Sequence, residues 1–114
     1  MSALPDSATV RAHLAGQRDR MVALLRRLTE AESPSVVPDS QQGLRELLVE
    51  AFDDVGYVSR RVPGQSSGGM LYARPARRAR GRPSQLLLGH YDTVWPLGTL
   101  ADMPFEVDGD VVRG

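Results

Sequence analysis

The chain of 114 residues has no cysteine, and it also lacks lysine, asparagine and isoleucine. Without cysteine there is no disulfide, no thiolate nucleophile and no sulfur-built zinc site. Net charge is also missing: 14 basic residues, all arginine, balance 14 acidic ones. No global field therefore draws the chain to nucleic acid or to a membrane surface. No apolar run approaches the roughly 20 residues of a spanning helix. The opening Met1-Ser2-Ala3-Leu4-Pro5-Asp6 has neither the basic start nor the apolar centre of a signal peptide. These absences lead us to expect a soluble, cytoplasmic chain with no nucleic-acid and no membrane partner. The length allows at most one small domain, short for an enzyme with a closed active site.

The residues that are present are organised around Leu86-Leu87-Leu88-Gly89-His90-Tyr91-Asp92-Thr93-Val94. A short unbroken apolar run bounded by turn residues predicts a buried strand. Side chains two apart on a strand share a face, so His90 and Asp92 are expected to enter the same space. That space lies at a strand end, where open α/β sheets tend to place their chemistry. Neutral imidazole is the commonest zinc ligand, and a nearby carboxylate usually fixes its ring and tautomer. Taken alone, the His-x-Asp pattern reads more readily as a buried histidine bonded to an aspartate that closes a turn.

Upstream, Val10, Leu14, Met21, Leu25 and Leu28 follow helical spacing, with Ser7 as cap and Ser33-Pro34 as the stop. His13 lies on this helix without a partner at i+3 or i+4 and reads as solvated. Ser33 to Pro38 reads as a linker. Asp39 and Gln42 make a capping-box pattern for a second helix, with the stripe Leu44, Leu47, Leu48, Phe52, Val55 and Gly56 as its stop. Tyr57 to Val62 and Met70 to Ala73 read as strands joined by a Pro-Gly and Ser-Gly turn. Arg74 to Pro83 carries five arginines without interleaved aromatics, and reads as a solvated hairpin loop rather than a nucleic-acid patch. Phe105 to Val107 and Asp110 to Val112 flank Asp108-Gly109, a hairpin signal that accounts for both aspartates without a metal.

The nonapeptide at Leu86, continued by Trp95-Pro96-Leu97-Gly98-Thr99, resembles the first metal-site motif of one family. That family comprises the di-zinc aminoacylases, acetylornithine deacetylases, succinyl-diaminopimelate desuccinylases and bacterial glutamate carboxypeptidases. The Trp-Pro-Leu-Gly-Thr tail looks most like the glutamate carboxypeptidase branch. The resemblance implies an α/β fold in which two N-terminal helices pack on a partial mixed sheet. This would be the N-terminal part of a zinc-exopeptidase-like (phosphorylase/hydrolase-like) catalytic domain. It implies that His90 is a zinc ligand and that Asp92 is the active-site aspartate bracing that imidazole. Thr93 and Val94 match as packing and turn residues.

In the resembled enzymes two zinc ions share a bridging carboxylate and a water, and a glutamate acts as general base. The Gly-x-x-Asp-x-Lys-Gly motif, the Glu-Glu pair and the last histidine of that family do not occur in residues 1–114. Residues 1–114 are thus expected to be a partial catalytic domain, cut before the second metal-site motif and without the lid through which relatives dimerise. Peptide or N-acyl amino acid substrates belong to the complete enzyme. This chain alone is expected to bind zinc weakly or not at all and to be inactive. The other expectation is a stand-alone, non-catalytic α/β interaction module derived from that family.

Overall fold

A computed structural model describes residues 4–78, 80–81 and 83–114. Met1 to Ala3, part of the stretch on which the lack of a leader is read, lie outside the described residues. So do Ala79 and Arg82 of the arginine-rich loop. Among the described residues the architecture is mixed α/β: three α-helices, two 3-10 turns and two small antiparallel hairpins.

The single helix expected before Ser33 is two helices, α1 (Ser7–Gly16) and α2 (Arg18–Glu30), parted at Gln17. Gly16 is the physical cause we assign: glycine in a helix interior costs about 1 kcal/mol relative to alanine. Gln17 follows at φ −100°, ψ 5°, outside the α region. The cap of α1 is Asp6 and not Ser7. Its carboxylate accepts the Thr9 N–H at 2.7 Å, which leaves Ser7 as the first helical residue. His13 is exposed on α1, as a solvated helix histidine should be. Every residue of α1 is exposed, whereas α2 half-buries Val22, Leu24 and Leu28.

Helix α3 (Gln41–Asp54) follows a 3-10 turn at Pro38–Ser40. The expected capping box does not form. The 3-10 turn occupies Asp39, and Gln42 bonds Glu46 along the helix at 2.8 Å. Leu44 is buried and Leu47, Leu48 and Phe52 are half-buried, but Val55 falls past the helix end and is exposed. An Arg27–Glu50 ion pair at 2.7 Å joins α2 to α3. Gly56, at φ +79°, takes the left-handed conformation that ends many helices.

Strand β1 (Tyr57–Val62) pairs antiparallel with β2 (Met70–Pro75). The Phe52 and Tyr57 rings, 5.9 Å apart, tie the hairpin to the end of α3. Arg45 is buried and donates to the Gly68 carbonyl at 3.2 Å, anchoring the hairpin turn to α3. The second hairpin, β3 (Glu106–Asp108) and β4 (Val111–Arg113), differs from expectation by one residue. Asp108 pairs with Val111, so the central pair is Gly109-Asp110. Gly109 takes φ +59° at the first position, the type II′ arrangement.

The largest departure is at Leu86 to Leu88. These leucines form no strand, and they are 81%, 95% and 88% exposed. A strand exists only by pairing, because its N–H and C=O groups need a neighbour. Among the described residues none runs alongside this segment. The radius of gyration, 16.7 Å, exceeds the roughly 13 Å expected for a compact chain of this length. The molecule is a flat slab, 50 × 41 × 18 Å, and its elements cover one another only in part.

Candidate metal-ligand site

The segment read as a linker is the best-anchored part of the site. Ser33 and Pro34 are buried at the end of α2. The Ser33 hydroxyl donates to the Tyr91 carbonyl at 2.8 Å, and the Ser33 carbonyl accepts the Thr93 N–H at 2.9 Å. The Ser35 N–H donates to the Thr93 carbonyl at 2.9 Å, completing a parallel bridge between Pro34 and Thr93. The Gln41 side-chain amide donates to the Pro34 carbonyl at 3.3 Å, tying the bridge to the start of α3. Tyr91 extends the clamp, its hydroxyl donating to the Gly69 carbonyl at 3.2 Å. Ser33 and Ser35 thus grip Tyr91-Asp92-Thr93 from one side.

Within that grip His90 and Asp92 come together, though not as neighbours on a strand face. His90 Nδ1 lies 2.9 Å from the backbone carbonyl of Asp92 and 3.3 Å from Asp92 Oδ1. A carbonyl oxygen can only accept, so this contact favours the tautomer with the proton on Nδ1. In the neutral ring Nε2 is then the bare nitrogen, the form in which imidazole ligates a metal. The other carboxylate oxygen, Oδ2, accepts the Ser35 hydroxyl at 2.6 Å. That bond holds the Asp92 carboxyl below the usual carboxylate range, with a backbone N–H and His90 adding to the effect and partial desolvation opposing it. The His90 side chain is 85% exposed and that of Asp92 39%.

His90 sits on the rim of a cleft of about 400 Å³. Leu28, Leu44 and Leu48 line its helical side, and Tyr91, Trp95 and Leu100 the opposite side. A second clamp shapes that wall. The Glu32 carboxylate accepts the Gly98 N–H at 2.9 Å and the Leu100 N–H at 3.2 Å. The Gly98 bond, then the Leu100 bond, pulls the Glu32 carboxyl below its ordinary range. Gly98 takes φ +90°, the left-handed conformation that lets this turn aim its amides at Glu32.

Neither Ser35 nor Glu32 stands out in the sequence. Both flank Ser33-Pro34, and their partners lie 57 to 68 residues away. The one available signal is a proline with hydroxyl residues on both sides, which equally describes a turn. Asp108 and Asp110 take no part in the site. Asp110 pairs with Arg18 at 2.8 Å and Asp108 with Arg113 at 3.6 Å.

His90 Nε2 suits zinc in both chemistry and tautomer. A tight site needs three or four such donors. Among the described residues no group of three or more His, Asp or Glu side chains is gathered to hold a metal ion. Among them, too, no helix is long and apolar enough to cross a membrane. Comparison of the chain with protein-family models, with curated proteins and with solved structures found no match.

Proposed function

We propose that this chain is the N-terminal segment of a zinc-dependent peptidase or amidohydrolase. The activity would be of the aminoacylase and glutamate carboxypeptidase kind, cleaving an amide bond in a peptide or N-acyl amino acid. The α/β fold would be the opening part of a zinc-exopeptidase-like catalytic domain. One observation carries the reading. His90, on the rim of a cleft, has Nδ1 2.9 Å from the Asp92 carbonyl and 3.3 Å from Asp92 Oδ1, an arrangement that leaves Nε2 to ligate.

In this reading His90 supplies one ligand and Asp92 fixes its tautomer and raises its basicity. The remaining ligands and the general base come from residues other than these. Zinc held by the complete set would polarise the scissile carbonyl and lower the pKa of its water. This chain's own share is smaller: it orients one imidazole and supplies one wall of a cleft. Alone it should bind zinc weakly and hydrolyse nothing.

The test is incubation of the chain with zinc and N-acyl glutamates, alongside calorimetric zinc titration of wild type and His90→Ala. We expect no turnover, and weak zinc binding that His90→Ala abolishes. Zinc binding that is indifferent to His90→Ala would sink the assignment. Turnover lost on the same substitution would overturn the claim of inactivity. The coding DNA supplies a separate check, since an in-frame continuation encoding Gly-x-x-Asp-x-Lys-Gly favours the enzyme segment.

The exposure of Leu86 to Leu88 favours a second reading, a non-catalytic module that binds a partner along this segment. A chain that is monomeric, melts sharply and ignores zinc would favour the module.

A further inference from the structure

We infer that Ser35 is a positioning residue for His90: its hydroxyl holds the Asp92 carboxylate so that the imidazole keeps its proton on Nδ1 and leaves Nε2 bare. The purpose of the bare nitrogen rests on the metallohydrolase reading; the tautomer itself is a property of the metal-free chain.

The two oxygens of Asp92 have separate partners. Oδ2 takes the Ser35 hydroxyl at 2.6 Å and Oδ1 faces His90 Nδ1 at 3.3 Å. A hydroxyl–carboxylate bond this short is of the strong, charge-assisted kind. Ser35 is itself held. Its N–H bonds the Thr93 carbonyl at 2.9 Å and Pro34 before it is buried; the same carbonyl, 3.0 Å from the hydroxyl, is the longer of two acceptors for the one hydroxyl proton. Asp92 is partly exposed, so water competes for its carboxylate, and a hydroxyl delivered from a fixed backbone biases its rotamer. Without that hydroxyl, Oδ1 is free to turn away. Nδ1 then keeps only the Asp92 carbonyl, at 2.9 Å, to hold its proton. Ser35 reaches across 57 residues of sequence to do this, coupling the end of α2 to the ligand loop.

The test is the imidazole tautomer, read by long-range nitrogen–proton correlation spectra of the metal-free full chain at alkaline pH, where the rings are neutral. His13, exposed on α1, is the internal reference. Wild type should show His90 with the proton on Nδ1. Ser35→Ala should shift the ratio toward Nε2–H by about three- to tenfold, the range for a lost bond to a charged group weakened by solvent. Ser35→Thr and Ser35→Val guard against a trivial loss of fold, since they are nearly isosteric and differ in the hydroxyl. The threonine variant should keep the wild-type tautomer and the valine variant should lose it.

A valine variant that keeps Nδ1–H, with the hairpin amide spectrum intact, overturns the role of Ser35. Zinc added to wild type separates this inference from the functional reading. No perturbation of the His90 ring would count against a metal ligand while leaving the positioning result as measured.

Discussion

The Glu32 carboxylate holds one wall of the cleft by accepting the Gly98 and Leu100 N–H groups, and that contact makes a pH prediction. The folded-state pKa of Glu32 is lowered from its ordinary 4.5. Its stabilising contribution is therefore fully present above pH 4.5 and is lost as pH falls through the lower folded value. Urea melts of wild type should show that extra loss on acidification, and Glu32→Gln should lack it. An identical acid slope in the two proteins would contradict the clamp. Gly69 makes a sharper case. It takes φ +85°, and a Cβ there would run into the Val62 carbonyl oxygen. Gly69→Ala should cost about 1–3 kcal/mol, the usual penalty for a strained backbone, measured as a lower urea midpoint.

At the scale of elements, α1 and α3 should respond differently to substitution. All of α1 is exposed, so its local stability rests on its cap and not on packing. Asp6→Ala removes the Thr9 bond and should cost that helix about 0.5–2 kcal/mol. The loss should appear as faster amide exchange confined to Ser7–Gly16, with β1 and β2 unchanged. Helix α3 instead carries the core through Leu44, which lies buried against the cleft. Leu44→Ala should lower global stability by about 2–5 kcal/mol, and the β1–β2 amides should exchange faster along with the helix. If exchange quickened within α3 alone, the hairpin would not depend on it.

The whole molecule is flat, with many large apolar side chains exposed. Phe105, under the Arg26 guanidinium 4.5 Å from its ring centre, and Leu44 are the buried large apolar residues among those described. Leu86 to Leu88 contribute no packing here, so replacing all three by serine should change stability by within about 0.5 kcal/mol, as surface substitutions do. The same replacement should cut self-association by sedimentation and the binding of a hydrophobic dye. A large drop in melting temperature would mean that the leucines pack in solution.

Much of the local structure was legible in the sequence because its causes are local. Hydrophobic spacing marked α3, alternation marked β1, and the glycines at 56 and 109 marked a helix stop and a hairpin turn. His90 and Asp92 were expected to meet on a strand face; no strand forms, and the ring instead meets the Asp92 backbone carbonyl at 2.9 Å. The sequence could not reveal what depends on distant partners. Ser33-Pro34 looked like a linker and is a buried anchor. Leu86 to Leu88 looked like a buried strand and stands open, because burial is a relation to neighbours and no described residue comes alongside. The Ser35 hydroxyl on Asp92 and the Glu32 carboxylate on Gly98 were decided by the tertiary fold alone. A hydrogen bond across 57 or 66 residues leaves no periodic trace in the chain.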